Sequence, residues 1–131
     1  MIEFLGGEGS GAARSAMPLS HAVRAGDFVF VSGQVPTDDT GAIVFGNVET
    51  QTRVVMEKIK KALSSAGCTL EDVVKTQVYL ADARDFVAFN GVYQSFFEPG
   101  RRPARTTVQS ALIIDIRVEV DVVAYKPEIA R

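Results

Sequence analysis

The order of patterns along this chain predicts an α+β fold, in which two helices cover one face of a mixed sheet. Two segments repeat apolar residues at helical spacing, and five shorter segments alternate or are rich in branched residues, as strands are. In chain order they give β-β-α-β-α-β-β. The 131 residues fit a single domain over 1–131, and the 47% hydrophobic content supplies a core without disulfides.

A glycine-rich run, Gly-Gly-Glu-Gly-Ser-Gly at 6–11, precedes the first predicted strand. A phosphate-binding loop should follow a strand and open a helix, and this run does neither. Residues 1–16 are therefore predicted to form a flexible arm.

The first two strands are predicted at 21–23 and 27–31, with a turn at 25–27 between them. The second strand runs into Ser32 and Gly33. A glycine in this position either marks a bend or allows a ligand or another backbone to approach closely.

The first helix is predicted over 48–66. Asn47 is a good N-cap, Glu49 suits the first turn, and Gly67 is a typical C-terminal stop. One face of this helix is apolar, with Val48, Val55, Ile59, Ala62, Leu63 and Ala66.

A third strand is predicted at 73–80, and a second helix begins after Asp82. Its apolar stripe is aromatic and is interpreted as core: Phe86, Phe89, Tyr93, Phe96 and Phe97. Asn90 lies at the edge of that stripe. Because an unpaired buried polar group costs about 1–3 kcal/mol, its amide needs a partner, either a nearby backbone group or a ligand.

The last two strands are predicted at 104–111 and 116–125. In the final strand the apolar residues point one way, while Arg117, Glu119 and Asp121 point the other way. This second face is either solvated or buried against identical subunits.

Arg105 is the main candidate for ligand binding. Pro103 stiffens the approach to its strand, and alternation places Arg105 and Thr107 on one face. A guanidinium can hold a carboxylate through two parallel hydrogen bonds. Arg105 is therefore either a clamp for a small organic acid or a surface arginine on an edge strand.

Composition argues against several classes of function. A net charge of −2 and a pI of about 5.4 do not suggest a general nucleic-acid binder. The single cysteine, Cys68, and the single histidine, His21, make a metal site improbable. No signal-peptide pattern or membrane-spanning apolar run is seen, and one unpaired cysteine suits a cytoplasmic location.

Several separated motifs occur together in the order and spacing of one known family. They comprise 31–36, 73–80, Asn90 with Tyr93, Phe96 and Phe97, then 102–105 and 118–120. On these motifs the chain resembles the RidA/YjgF family of enamine/imine deaminases, also described as L-PSP endoribonuclease-like.

The resemblance implies a chorismate-mutase-like fold and a homotrimer with clefts between subunits. It implies hydrolysis of 2-aminoacrylate and 2-iminopropionate to 2-keto acid and ammonia, without metal or organic cofactor. By resemblance Arg105 holds the carboxylate and Glu119 positions or activates water. The backbone at Ser32 and Gly33 lies near the imine, and Asn90 also binds substrate.

Two positions and one loop depart from the family pattern. Leu19 follows the early proline where a tyrosine is common, and Thr107 replaces a common cysteine. Leu19 and Tyr93 are expected to line the pocket wall, and Thr107 to offer a hydroxyl to the substrate. The loop near 113–115 is short and lacks the usual Leu-Pro.

These departures leave the substrate open. A larger enamine acid such as 2-aminomuconate remains an alternative, as does a regulatory trimer that binds small carboxylates without converting them. An endoribonuclease activity, attributed to some relatives, fits poorly with the acidic balance and the single histidine.

Overall fold

The computed structural model describes residues 1–6 and 17–127, in which six strands form one mixed sheet. The strands are β1 (Ile2–Leu5), β2 (Ala22–Ala25), β3 (Phe28–Gln34), β4 (Val73–Leu80), β5 (Ala104–Gln109) and β6 (Val118–Tyr125). Their order in the sheet is β1-β2-β3-β6-β4-β5, with β4 and β5 parallel and the other pairs antiparallel. The predicted α+β class is confirmed, and β5 lies at one edge of the sheet.

The strand β1 was not predicted. Ile2–Leu5 pairs antiparallel with Ala22–Ala25, so the expectation of a flexible arm is wrong for these residues. Only four residues take part, too few for a periodic pattern, and the pairing partner lies far along the chain. Residues 7–16 of the expected arm lie outside the described residues.

The helix α1 spans Val48–Ser65 and follows its sequence signals closely. The side chain of Asn47 accepts a hydrogen bond from the Thr50 N–H at 2.9 Å. Gly67 ends the helix with a φ of +77°, a conformation that favours glycine. The helix stops one residue earlier than predicted, because Ala66 is its C-cap.

The helix α2 spans only Phe86–Tyr93 and is extended by 3-10 turns at Ala83–Asp85 and Gln94–Phe96. Phe89 and Tyr93 are buried as predicted, but Phe86 is 41% exposed and is not a core residue. No helix among the described residues combines the length and apolar content needed to cross a membrane.

The core lies between the helices and one face of the sheet. The predicted alternation of the last strand is confirmed, since Val118, Val120 and Val122 are buried. We call the opposite surface the open face. Its side chains include Phe28, Phe30, Lys75, Gln77, Tyr79, Glu119, Asp121 and Tyr125.

Candidate functional site

The guanidinium of Arg105 lies against aromatic rings rather than projecting into bulk solvent. Its Cζ is 4.9 Å from the ring centre of Tyr93 and 5.6 Å from those of Phe86 and Phe89. Such contacts attract a cation to the ring face and fix its position. Among the described residues no carboxylate pairs with this guanidinium, which therefore keeps its capacity to bind an anion.

The Tyr93 ring that contacts Arg105 is itself held in place by a hydrogen bond. Its hydroxyl donates to Thr76 Oγ1 at 3.0 Å, and both residues are buried. Thr76 is also the register partner of Arg105 on the neighbouring strand β4. Burial raises the pKa of Tyr93, so the ring stays neutral beside the cation. The tyrosine predicted as pocket wall is thus placed behind the guanidinium.

Two buried polar atoms on the elements that carry Arg105 and its aromatic neighbours have no protein partner in the described part of the chain. They are Oδ1 of Asn90, on α2, and Oγ1 of Thr107, two residues after Arg105 on β5. A ligand that brings N–H or O–H groups to them would recover a cost of about 1–3 kcal/mol per atom. Of the two partners predicted for the Asn90 amide, a backbone group or a ligand, the structure does not provide a backbone group to Oδ1.

Glu119 lies on the other side of the sheet, in the open face. A Cβ on Gly33 would contact Glu119 Oε2, so the carboxylate packs directly over the glycine backbone. Asp121 lies two residues further on β6 and accepts a hydrogen bond from the Tyr79 hydroxyl at 3.1 Å. A cavity of about 230 Å³ opens here, lined by Gly33, Tyr79, Ser110, Ala111, Leu112, Ile113, Glu119 and Asp121.

The pKa of Glu119 is raised above its usual value, first by burial and then by the negative charge of Asp121. The pKa of Asp121 is also raised by burial, and the hydrogen bond from Tyr79 partly offsets this effect. A carboxylate with a raised pKa is a better general base near neutral pH.

Ser32 and Gly33 lie where the pairing of β3 with β6 is irregular, between Val31 and Gln34. The Ser32 N–H donates to His21 O at 3.0 Å, and the Ser32 hydroxyl donates to Ser20 O at 2.6 Å. Both donors of Ser32 are therefore engaged within the chain. The arrangement presents Gly33, and not Ser32, to the cavity.

The predicted site residues fall into two groups that one chain does not bring together. Arg105, Asn90 and Thr107 lie on the helix-covered side of the sheet. Gly33 and Glu119 lie on the open face. Leu19, predicted as pocket wall, is exposed and does not line the Glu119 cavity.

Sequence reasoning missed the aromatic support of Arg105 and the loop at 110–113. The spacing of Phe86, Phe89 and Tyr93 predicts a helix stripe that packs in the core, with Tyr93 also at the pocket wall, but it does not predict that all three rings contact Arg105. Alternation along β6 had placed Asp121 beside Glu119, so the acidic character of the cavity was visible in the sequence.

Comparison with known proteins gives a consistent result. The family model described as endoribonuclease L-PSP matches residues 10–126. A RutC family protein of Pyrococcus horikoshii is 46% identical over 111 residues, covering 83% of this chain and 87% of the relative. The 3-aminoacrylate deaminase RutC of Acinetobacter baylyi is 41% identical over 110 residues, covering 82% and 86%.

Solved structures agree with the sequence matches. The Rid family protein YyfA of Yersinia pestis superposes with a TM-score of 0.85 at 28% identity, covering 95% of this chain and 99% of that one. TdcF of E. coli, solved with bound serine, gives a TM-score of 0.77 at 32% identity, covering 83% and 88%.

Proposed function

This chain belongs to the endoribonuclease L-PSP family, which includes the RidA/YjgF and RutC proteins, and from that premise we propose that it is an imine/enamine deaminase. The reaction is hydrolysis of small acids of the 2-aminoacrylate or 2-iminopropionate type to 2-keto acids and ammonia. A relative named as a 3-aminoacrylate deaminase supports this reaction class.

The observation that carries the proposal is the unpaired guanidinium of Arg105 on its aromatic support. A fixed cation without a protein counter-ion is suited to a substrate carboxylate, which it can hold with two charge-assisted hydrogen bonds. Binding in this way also fixes the imine carbon, which is bonded to the carboxylate. The bound serine of TdcF is a ligand of the same type, a small carboxylate with a neighbouring nitrogen.

The chemistry requires only a held substrate, a water and a group that moves protons. Water oxygen attacks the imine carbon while Glu119 accepts a proton from that water, and the C=N electron pair moves onto nitrogen, which is protonated. The adduct is a carbinolamine, in which the same carbon carries a hydroxyl and an amino group. Glu119 takes the hydroxyl proton and passes it to the nitrogen, the C–N bond breaks to release NH3, and the C–O bond becomes C=O. Because an imine carbon is already electrophilic, these steps need no metal or organic cofactor.

The proposed site is shared between copies of the chain. Arg105 and Glu119 lie on opposite sides of one sheet, but Arg105 lies on the edge strand β5, where the open face of a second copy can meet it. A homotrimer with three such clefts is the assembly that the family resemblance implies. Each cleft would combine Arg105, Asn90 and Thr107 of one copy with Gly33 and Glu119 of the next.

Replacing Arg105 tests the clamp. We expect Arg105→Ala to lower turnover of freshly generated 2-aminoacrylate by about 10–150-fold, since a charge-assisted hydrogen bond is worth about 1.5–3 kcal/mol. Arg105→Lys keeps the charge but loses the fork, and we expect a large loss there too. The measurement is the rate of keto-acid release above the spontaneous rate.

The matched control is Arg84→Ala. Arg84 is an exposed arginine whose partner is Asp82, and its removal should leave turnover unchanged. Circular dichroism and thermal unfolding check that each variant is folded. Normal turnover by a well-folded Arg105→Ala protein would exclude the clamp.

A binding protein without catalysis is the second candidate, and the same observation favours it, since an unpaired Arg105 can hold a carboxylate without any reaction. Tight binding of 2-keto acids together with no ammonia release from any imine would establish that function instead.

A further inference from the structure

The loop between β5 and β6 presents one isoleucine almost entirely to solvent. The loop is held at both ends, because the Ser110 N–H donates to Leu80 O at 2.9 Å and the Ala81 N–H donates to Arg117 O at 3.0 Å. Ile116 is buried beneath it, yet Ile113 is 97% exposed. A large apolar side chain on an anchored loop offers unused contact area beside the Glu119 cavity.

The cavity that Ile113 lines has two different parts. The sheet contributes Tyr79, Glu119 and Asp121, which we call the floor, and the β5–β6 loop contributes Ala111, Leu112 and Ile113, which we call the rim. None of the described residues that line it is basic. Within one chain its volume is about 230 Å³.

These features restrict the substrate side chain. An apolar side chain can contact Ile113 at the rim and lose water on both surfaces. A second carboxylate would instead face Glu119 and Asp121, while the Arg105 proposed for the cleft is already engaged by the first carboxylate, and this is unfavourable in a partly buried cavity. The two ends of the cavity therefore discriminate between uncharged and acidic side chains.

We propose that Ile113 is a specificity-determining residue that selects imino acids with short apolar side chains, while the acidic floor excludes those with a second carboxylate. This inference rests on the proposed function, in which Arg105 of a neighbouring copy holds the first carboxylate. It disfavours a dicarboxylic enamine such as 2-aminomuconate, which the sequence left open.

Binding of stable 2-keto acids to the assembled full-length protein tests the inference without requiring turnover. The probes share one head group and differ in side chain: pyruvate, 4-methyl-2-oxopentanoate and 2-oxoglutarate. Calorimetric titration gives the affinity of each. We expect the wild-type protein to bind 4-methyl-2-oxopentanoate most tightly and 2-oxoglutarate most weakly.

Variants of the loop identify the residue. Ile113→Ala should weaken 4-methyl-2-oxopentanoate binding about tenfold, the discrimination expected of a small apolar contact, and should change pyruvate binding less than about twofold. Ile113→Lys should improve 2-oxoglutarate binding relative to pyruvate, because it adds a cation at the rim. The matched control is Ile114→Ala, an isoleucine of the same loop that does not line the cavity and should change none of the ratios.

Several outcomes would overturn the inference. If Ile113→Ala leaves the relative affinities for the three acids unchanged, Ile113 does not select the substrate side chain. Equal weakening of all three acids, together with dissociation seen by analytical ultracentrifugation, would make Ile113 an interface residue. If the wild-type protein releases no keto acid from any imine, the proposed deaminase function fails, while the affinity ratios still decide the role of Ile113.

Discussion

The carboxylate of Glu119 occupies the space that a side chain at position 33 would need. A Cβ added to Gly33 would contact Glu119 Oε2, the far end of a flexible side chain. The φ angle of Gly33 is not positive, so its backbone conformation does not require glycine. Glycine leaves room for the carboxylate, which would have to move if a Cβ were present.

At the residue scale, the contact between Gly33 and Glu119 should matter for the activity of the protein but little for its stability. We expect Gly33→Ala to fold with nearly unchanged thermal stability, because the carboxylate can move aside. The same movement should lower deaminase turnover by about 100-fold, since a displacement of ~1 Å can cost that much in a positioned site. Keto-acid release and the unfolding temperature are the two measurements.

Gly91→Ala is the control for Gly33→Ala. Gly91 lies within α2, and a Cβ there meets nothing within 4 Å. We expect this variant to keep its activity and gain about 0.5–1 kcal/mol in unfolding free energy, because alanine is the better helix former. Equal activity of the two alanine variants would show that the position of Glu119 over Gly33 does not matter for turnover.

Individual elements follow local rules, and these could be predicted from the sequence. The cap at Asn47, the stop at Gly67 and the alternation of β6 each depend on a few neighbouring residues. The pairing of β1 with β2 could not be predicted, because it joins residues about twenty positions apart. Alternation also showed that Arg105 and Thr107 share a face, but not that α2 covers that face.

The contacts of Arg24 could not be predicted from the sequence either, because they join three parts of the backbone that are far apart along the chain. The buried guanidinium of Arg24, on β2, donates to Ala66 O at 3.0 Å, to Lys126 O at 3.0 Å and to Gly26 O at 3.2 Å. Its neighbours include the carboxyl end of α1, where the helix dipole favours a cation. Arg24 therefore fastens this helix end to the β2–β3 turn and the end of β6.

We predict that Arg24→Met lowers the free energy of unfolding by about 1–3 kcal/mol, because the buried Ala66 carbonyl would lose its donor, and two partly buried carbonyls would lose theirs as well. Urea unfolding followed by circular dichroism measures the change. Arg84→Met is the control, since its pair with Asp82 is exposed and screened by solvent and should contribute little to stability. Similar small losses in both variants would mean that the Arg24 contacts do not fasten the helix end.

On the scale of the whole molecule, the open face groups several partly exposed aromatic side chains. Phe28 and Tyr125 contact each other there with ring centres 5.2 Å apart, and Phe30 is also largely exposed. Large exposed apolar side chains grouped on one surface mark protein contact sites. This surface also carries Glu119, so association through it would bring the carboxylate into a cleft with the edge strand of another copy.

A complementation experiment tests whether the site is shared between chains. We predict that the Arg105→Ala and Glu119→Gln proteins each lose most of their activity, yet regain part of it when they are co-expressed. In a mixed trimer, one of the three clefts receives Arg105 from one variant and Glu119 from the other. With random assembly about three quarters of the trimers are mixed, so activity should reach roughly a quarter of the wild-type value.

The control is co-expression of either variant with a doubly substituted chain that carries both Arg105→Ala and Glu119→Gln, which should restore nothing. No recovery in mixed trimers, confirmed by differently tagged chains that co-purify, would place Arg105 and Glu119 in separate sites and exclude the shared cleft.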